Sequence, residues 1–142
     1  MLYLSEFRFP DYEAEVSARM DEKRTCYNTM YPFFVLSRRA LERLDFEPVT
    51  ILYGGNGSGK STALNVIAEK LRLERDSLFN RSSFFEKYTA LCRAKTARAV
   101  PEGSRMITSD DVFDFMLNLR GLNEGIDKKR EELYEEYLDA KY

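Results

Sequence analysis

The stretch Gly54-Gly55-Asn56-Gly57-Ser58-Gly59-Lys60-Ser61-Thr62 decides how the rest of the chain is interpreted. It contains the spacing G-x-x-x-x-G-K-[ST], in which glycines are followed by a lysine and a hydroxyl residue. Glycines allow successive backbone N–H groups to turn inward around an anion, and the lysine adds a positive charge. The stretch therefore predicts a loop that binds the phosphates of a nucleotide.

The residues on both sides of this loop have the pattern that a phosphate-binding loop needs. Residues 49–53 read Val-Thr-Ile-Leu-Tyr, an apolar and β-branched run that predicts a buried strand. After the loop, apolar residues recur at i, i+3, i+4 and i+7, the spacing of one helix face. They are Leu64, Ile67, Ala68 and Leu71. A strand, a loop and a helix in this order direct the helix dipole at a bound anion, although a glycine-rich turn that only caps the helix is the alternative.

The amino-acid sequence of the loop resembles that of the ABC-type branch of P-loop ATPases. This branch consists of AAA-family ATP-binding proteins that include transporter ATPases and SMC-like DNA-repair ATPases. The shared residues are Gly-x-Asn-Gly-Ser-Gly-Lys-Ser-Thr, and the resemblance is sharp only over residues 49–73. Gly55 stands where that branch often carries proline. The resemblance implies an α/β fold with a P-loop NTPase core of strand, Walker A loop and helix. An N-terminal β-layer and a C-terminal helical segment would accompany this core in an incomplete ABC-type nucleotide-binding domain.

The resemblance also implies a role for each residue of the loop, with ATP and Mg²⁺ as the cofactors. Backbone N–H groups of residues 56–61 would donate to the phosphates, and Lys60 would act as the catalytic cation at the β- and γ-phosphates. Ser61 would bind the metal, and Thr62 would approach the α-phosphate. The predicted nucleotide-binding residues are Gly54, Gly55, Asn56, Gly57, Ser58, Gly59, Lys60, Ser61, Thr62 and Tyr31.

The aromatic residues upstream of the loop have two open interpretations. In transporter-type relatives an aromatic residue ahead of the loop stacks on adenine. Tyr31 and Tyr27 both lie at a plausible distance from the loop, and Tyr31 is the predicted residue. The alternative is that Tyr31 simply belongs to the core with its aromatic neighbours. Residues 31–36 are also predicted to be a strand, as are residues 2–9 and 44–46, while residues 11–28 are predicted to be a loop with one helical turn.

Composition restricts the classes of function. The chain has 142 residues, of which 44% are hydrophobic and 32% charged, with a net charge of −2 and no histidine. This charge does not favour a strong nucleic-acid or membrane-surface binder, and two cysteines without histidine indicate neither a zinc site nor a disulfide framework. Neither a signal peptide nor a membrane span is predicted, so we expect a cytoplasmic protein without membrane insertion.

One domain with three parts is expected. Residues 1–53 are predicted to be rich in strand, residues 54–73 to hold the loop and its helix, and residues 74–142 to be mainly helical. Basic and aromatic residues between positions 69 and 98 weakly suggest nucleic acid, although a solvated helix explains them better. A strand at 105–108, a helix with Ser109 as its N-cap that ends at Gly121, and a last helix over 124–142 complete the chain.

Segments that a hydrolysing ATPase of this branch normally carries are missing after the loop. No run of four apolar residues ends in Asp or Asp-Glu, no Leu-Ser-Gly-Gly-like segment is present, and the chain contains no glutamine. Ser109 or Asp110 could replace the glutamine that senses metal in such ATPases. We therefore expect MgATP binding by the N-terminal half of an ABC-type ATPase, completed by a C-terminal half or by a second copy in an ATP-sandwich dimer. The alternatives are an interaction module in which nucleotide is structural, and another P-loop enzyme such as a nucleotide kinase.

Overall fold

A computed structural model of the chain describes residues 1–24 and 26–142, which fall into two compact units, Met1–Met106 and Ile107–Tyr142. The first unit contains three strands, three helices and a 3₁₀ turn at Ser37–Arg39. These elements are β1 (Leu4–Arg8), α1 (Tyr12–Met20), β2 (Arg43–Asp45), α2 (Lys60–Lys70), α3 (Phe85–Leu91) and β3 (Arg93–Thr96). The second unit is the helix α4 (Ser109–Lys141). Within the described ranges, no helix is both long enough and apolar enough to cross a bilayer.

The three strands form one antiparallel sheet in the order β2-β1-β3. Phe7 of β1 pairs with Leu44 on one side and with Ala94 on the other. Phe7 and Phe9 are both buried, as expected when alternate residues of a strand face the core. The strands predicted near residues 2–9 and 44–46 are confirmed, whereas β3 was not predicted.

The core of the first unit is largely aromatic. Phe33 packs edge-on against Tyr88 of α3, with ring centroids 5.1 Å apart. Helix α2 joins the same cluster through Ala63, Val66 and Ile67, which are at most 3% exposed. The predicted helix after the loop is therefore confirmed, and its apolar face fixes the position of the residues that precede it.

Two predicted strands are wrong in the described structure. Residues 31–36 form turns, with Phe34 at a φ of 64°, before the 3₁₀ turn. Residues 49–53 belong to no strand, and Val49, Ile51 and Tyr53 are 80%, 83% and 100% exposed. An apolar, β-branched run forms a strand only where a neighbouring strand pairs with it, and no described strand does so here. The loop predicted at 11–28 is also wrong over Tyr12–Met20, because α1 extends over these nine residues, and Thr25 of that range lies outside the described residues.

Helix α4 runs without interruption for 33 residues and has no buried residue. It begins at a capping box in which the Asp111 carboxylate accepts hydrogen bonds from the backbone N–H (2.6 Å) and hydroxyl (2.8 Å) of Thr108. The predicted end at Gly121 is wrong, since an internal glycine costs only about 1 kcal/mol relative to alanine and the residues after it favour a helix. The strand predicted at 105–108 is reduced to one parallel bridge between Glu74 and Arg105.

Glu15 is a fully buried carboxyl group on α1. Its Oε2 atom accepts a hydrogen bond from the Ser37 hydroxyl, whereas Oε1 has no hydrogen-bond partner among the described residues. Burial raises the pKa of Glu15, because removal from water disfavours the charged form by more than Ser37 and the nearby Arg38 favour it. The 3₁₀ turn is thus attached to α1 through an acid that retains its proton above the usual pH.

We expect Glu15→Gln to change how the free energy of unfolding depends on pH. The stability that the raised pKa contributes is fully present below the unfolded value near 4.5 and is lost as pH rises through the folded pKa. The glutamine variant has no such loss, so its stability relative to wild type should increase as pH rises above about 4.5. Urea unfolding at a series of pH values measures this difference, with Glu13→Gln, an exposed position of the same helix, as the control. A difference that stays constant with pH would contradict a buried, proton-retaining Glu15.

Candidate nucleotide-binding site

The glycine-rich stretch forms a loop that leads directly into α2. Gly59 is the N-cap residue, with a φ of 95° and a ψ of 9°, and the helix begins at Lys60. The N–H group of Ala63 bonds to the Gly59 carbonyl at 2.9 Å. The N–H groups of residues 60–62 precede this bond and therefore have no partner inside the helix. These groups and the positive end of the helix dipole favour an anion at the loop.

The geometry of the loop favours glycine at three positions. A Cβ atom on Gly54 would lie 2.6 Å from the Ser58 hydroxyl oxygen, and Gly57 has a φ of 74° that favours glycine. Gly59 has a positive φ, and a Cβ atom there would lie only 2.9 Å from a methyl carbon of Leu36. Gly55 has open space around it and no positive φ, so another residue fits at that position.

The Lys60 ammonium group lies against the backbone of the loop. It donates hydrogen bonds to the carbonyl groups of Gly54 and Gly55 and to the Ser58 hydroxyl, the last two at 2.8 Å and 3.1 Å. The lysine that starts α2 thereby holds the first half of the loop close to the helix.

A cavity of about 260 Å³ lies at the loop, lined by Val35 and residues 56–62. The lining contains hydroxyl groups, backbone amides and the Lys60 side chain, and none of its residues carries a carboxylate. A second cavity of about 370 Å³ shares Ser58, Gly59 and Lys60 with the first and is otherwise lined mainly by apolar side chains. The loop thus combines positive charge and hydrogen-bond donors at an open cavity, which suits a phosphate group.

The structure brings the predicted residues of the loop together. Lys60, Ser61 and Thr62 form the first turn of α2 and line the loop cavity with residues 56–59. Ser61 is exposed, and Thr62 is buried at 8% exposure. Within residues 1–24 and 26–142, no group of three or more His, Cys, Asp or Glu side chains is arranged to hold a metal ion. A cation at this site would therefore take its oxygen ligands from Ser61, from a bound phosphate and from water.

Tyr31 reaches the same site from a distant part of the chain. Its hydroxyl oxygen lies 3.0 Å from the Thr62 hydroxyl oxygen, and its ring centroid lies 6.0 Å from that of Phe85. The turns at 31–36 therefore place Tyr31 beside the loop, with its hydroxyl group in contact with Thr62. Whether the ring also stacks on a base stays a prediction.

Sequence reasoning missed Arg39, a second residue from the segment ahead of the loop. Its guanidinium donates to the Gly57 carbonyl at 3.0 Å, so that the end of the 3₁₀ turn is connected to the apex of the loop. No local signal identifies this contact, because it depends on turns in a stretch that resembles a strand. Arg39 also lines the second cavity.

No known protein family, no curated protein and no solved structure matches the chain. The assignment of the site therefore depends on the residues of the loop and on the contacts described above.

We expect Gly59→Ala to destabilise the protein and Gly55→Ala to leave its stability nearly unchanged. A side chain at the positive φ of Gly59 costs about 1–2 kcal/mol, and the new methyl group must also displace Leu36. Gly55→Ala is a matched control, because it adds the same methyl group to the same loop in open space. Urea unfolding of the two variants and of wild type measures the difference. Equal stabilities of the two variants would contradict the conformation described for the loop.

Proposed function

We propose that the chain binds MgATP through the loop at residues 54–62, as part of an ABC-type P-loop ATPase with an α/β core. The observation that carries this proposal is the meeting of three features at one cavity. They are the positive-φ glycines Gly57 and Gly59, the residue Lys60, and the N–H groups at the start of α2 that have no partner within the helix. Each feature favours an anion, and their combination is what a phosphate chain requires.

The proposed roles of the loop residues are those that the resemblance of the loop sequence to ABC-type ATPases implies. Lys60 offsets negative charge that develops on the β- and γ-phosphates, and the N–H groups of residues 56–61 donate to phosphate oxygens. The Ser61 hydroxyl, which lines the same cavity, is a suitable oxygen ligand for Mg²⁺. When bound, the metal would neutralise phosphate charge, and the chain itself would orient the triphosphate.

Hydrolysis in this proposal requires groups that the described part of the chain does not place at the loop. Neither cavity beside the loop is lined by an acidic residue that could orient a water molecule. Asp110, the candidate from the sequence, lies in the first turn of α4, where an acid is explained by the helix dipole. The exposed apolar run at 49–53 fits the same idea, since strands of a C-terminal half or of a second copy could cover it.

Nucleic-acid binding has less support than nucleotide binding. Basic residues between positions 69 and 98 are largely engaged within the first unit, as with Arg81 on Glu69 and Lys87 on Glu22. Three of the aromatic side chains of the same stretch, Phe84, Phe85 and Tyr88, are not available for stacking, because they are at most 1% exposed, and Phe79 is partly buried against Phe85. These residues form core and a solvated surface. The proposed ligand is therefore a nucleotide and not a nucleic acid, and the proposed location is the cytoplasm.

We expect wild type, but not Lys60→Ala, to be stabilised by MgATP. Ligand at a hundred times its dissociation constant should stabilise the folded protein by about 2.7 kcal/mol, and removal of the ammonium group should abolish most of this shift. Lys95→Ala is the control, because it removes the same charge from an exposed position on β3. Thermal unfolding with and without MgATP measures the effect. A melting temperature that does not respond to MgATP in wild type would contradict the proposal.

We expect the chain to bind ATP but to hydrolyse it very slowly. Without an orienting group for water, the phosphate contacts leave a barrier several kcal/mol higher than in a complete site. Phosphate release under single-turnover conditions measures the rate, with Lys60→Ala as the blank. Sustained release that depends on Lys60 and is abolished by Asp110→Asn would show that the chain has its own catalytic carboxylate. In that case the half-ATPase interpretation is wrong, while nucleotide binding stands.

A further inference from the structure

Tyr31 is held at the loop by contacts on every part of the residue. Its backbone N–H donates to the Thr29 hydroxyl at 3.1 Å, and its carbonyl accepts a hydrogen bond from the Ser82 hydroxyl. Its ring contacts Phe85, which is completely buried. None of these supports comes from the loop, so the Tyr31 hydroxyl is a point fixed from outside it.

Thr62 links this fixed point to the loop cavity. Its hydroxyl lies 3.0 Å from that of Tyr31, and Thr62 is one of the residues that line the cavity. We propose that Tyr31 is a positioning residue for phosphate binding and that its hydroxyl acts through Thr62. This inference rests on the proposed function, since it assigns a role in the same site.

The direction of the hydrogen bonds explains how the hydroxyl acts. A phosphate oxygen without a proton can only accept, so the Thr62 hydroxyl must donate to it. The Thr62 oxygen then needs a donor of its own, and the Tyr31 hydroxyl is placed to supply that proton. The Tyr31 hydroxyl donates to the Thr62 hydroxyl, and the Thr62 hydroxyl donates to the phosphate. Each hydroxyl proton has one acceptor in this arrangement.

Removal of the Tyr31 hydroxyl would leave Thr62 without its partner outside the helix. The hydroxyl of a threonine in a helix can instead donate to the backbone carbonyl three or four residues earlier. That hydrogen bond would turn the Thr62 proton away from the cavity. Tyr31→Phe keeps the ring and its contact with Phe85. Its effect on phosphate binding therefore isolates the hydroxyl from the packing of the ring.

The test compares MgATP with inorganic triphosphate and Mg²⁺, a probe that has no base. We expect Tyr31→Phe to raise the dissociation constant about five- to tenfold for both ligands, because one hydrogen bond to the site is lost. Thr62→Val should raise both constants to a similar extent. The double variant should be no weaker than the weaker single variant, since both changes break the same sequence of donors.

The controls separate positioning from stacking and from stability. Tyr27→Phe removes a hydroxyl from a tyrosine that lines neither loop cavity and should leave both constants unchanged. Urea unfolding of each variant without ligand measures its stability, so that a loss of affinity can be distinguished from a loss of folded protein. If Tyr31→Phe binds both ligands as wild type does, or if the double variant is additive, the positioning role is wrong. Loss of MgATP but not triphosphate affinity in Tyr31→Ala, with Tyr31→Phe unchanged, would establish stacking in its place.

Failure of the proposed function gives a different result. Wild type would then bind neither ligand, or would bind with a constant that Lys60→Ala does not alter, and both proposals would fall together. Binding that depends on Lys60 but not on the Tyr31 hydroxyl would overturn only the positioning role.

Discussion

The close approach of Gly59 to Leu36 is the constraint on which the candidate site depends. The backbone turns through a φ of 95° at Gly59, and any Cβ atom there would lie 2.9 Å from a Leu36 methyl carbon. Leu36 is fully buried in the hydrophobic core. The loop is therefore built directly on the core. Its conformation follows from the same packing that stabilises the first unit, which explains why a loop of small, polar residues has a defined shape.

The segment at 31–39 supports the loop in more than one place. Tyr31 meets Thr62 at the start of α2, Leu36 lies against Gly59, and Arg39 donates to the carbonyl of Gly57. Glu15 in turn attaches α1 to this segment through Ser37. A buried acid, a 3₁₀ turn and the loop are consequently connected by side-chain contacts. The glycine-rich loop is therefore supported by residues from other parts of the chain and is not an isolated turn.

Local sequence pattern was sufficient for some of these features and insufficient for others. The motif at 54–62 and the helix after it could be predicted, because glycine geometry and helix periodicity are properties of short segments. Residues 49–53 were predicted to be a buried strand and are exposed, since pairing depends on strands elsewhere in the chain. The contact of Arg39 could not be predicted for the same reason, because it also depends on distant parts of the chain. Its contact with Gly57 exists only because residues 31–36 turn instead of extending.

The contacts around the loop have a consequence for the energetics of binding. Lys60, Arg39 and Tyr31 hold the loop and its helix by hydrogen bonds to other residues of the chain. A binding site that is already ordered loses less conformational entropy when its ligand arrives, so more of the interaction energy appears as affinity. In the proposed function, the Lys60 ammonium group would exchange its carbonyl partners for phosphate oxygens, which is favourable because a charged acceptor forms the stronger hydrogen bond. In the proposed site, the backbone of the loop is therefore already held in place, and Lys60 is the side chain that changes its partners on binding.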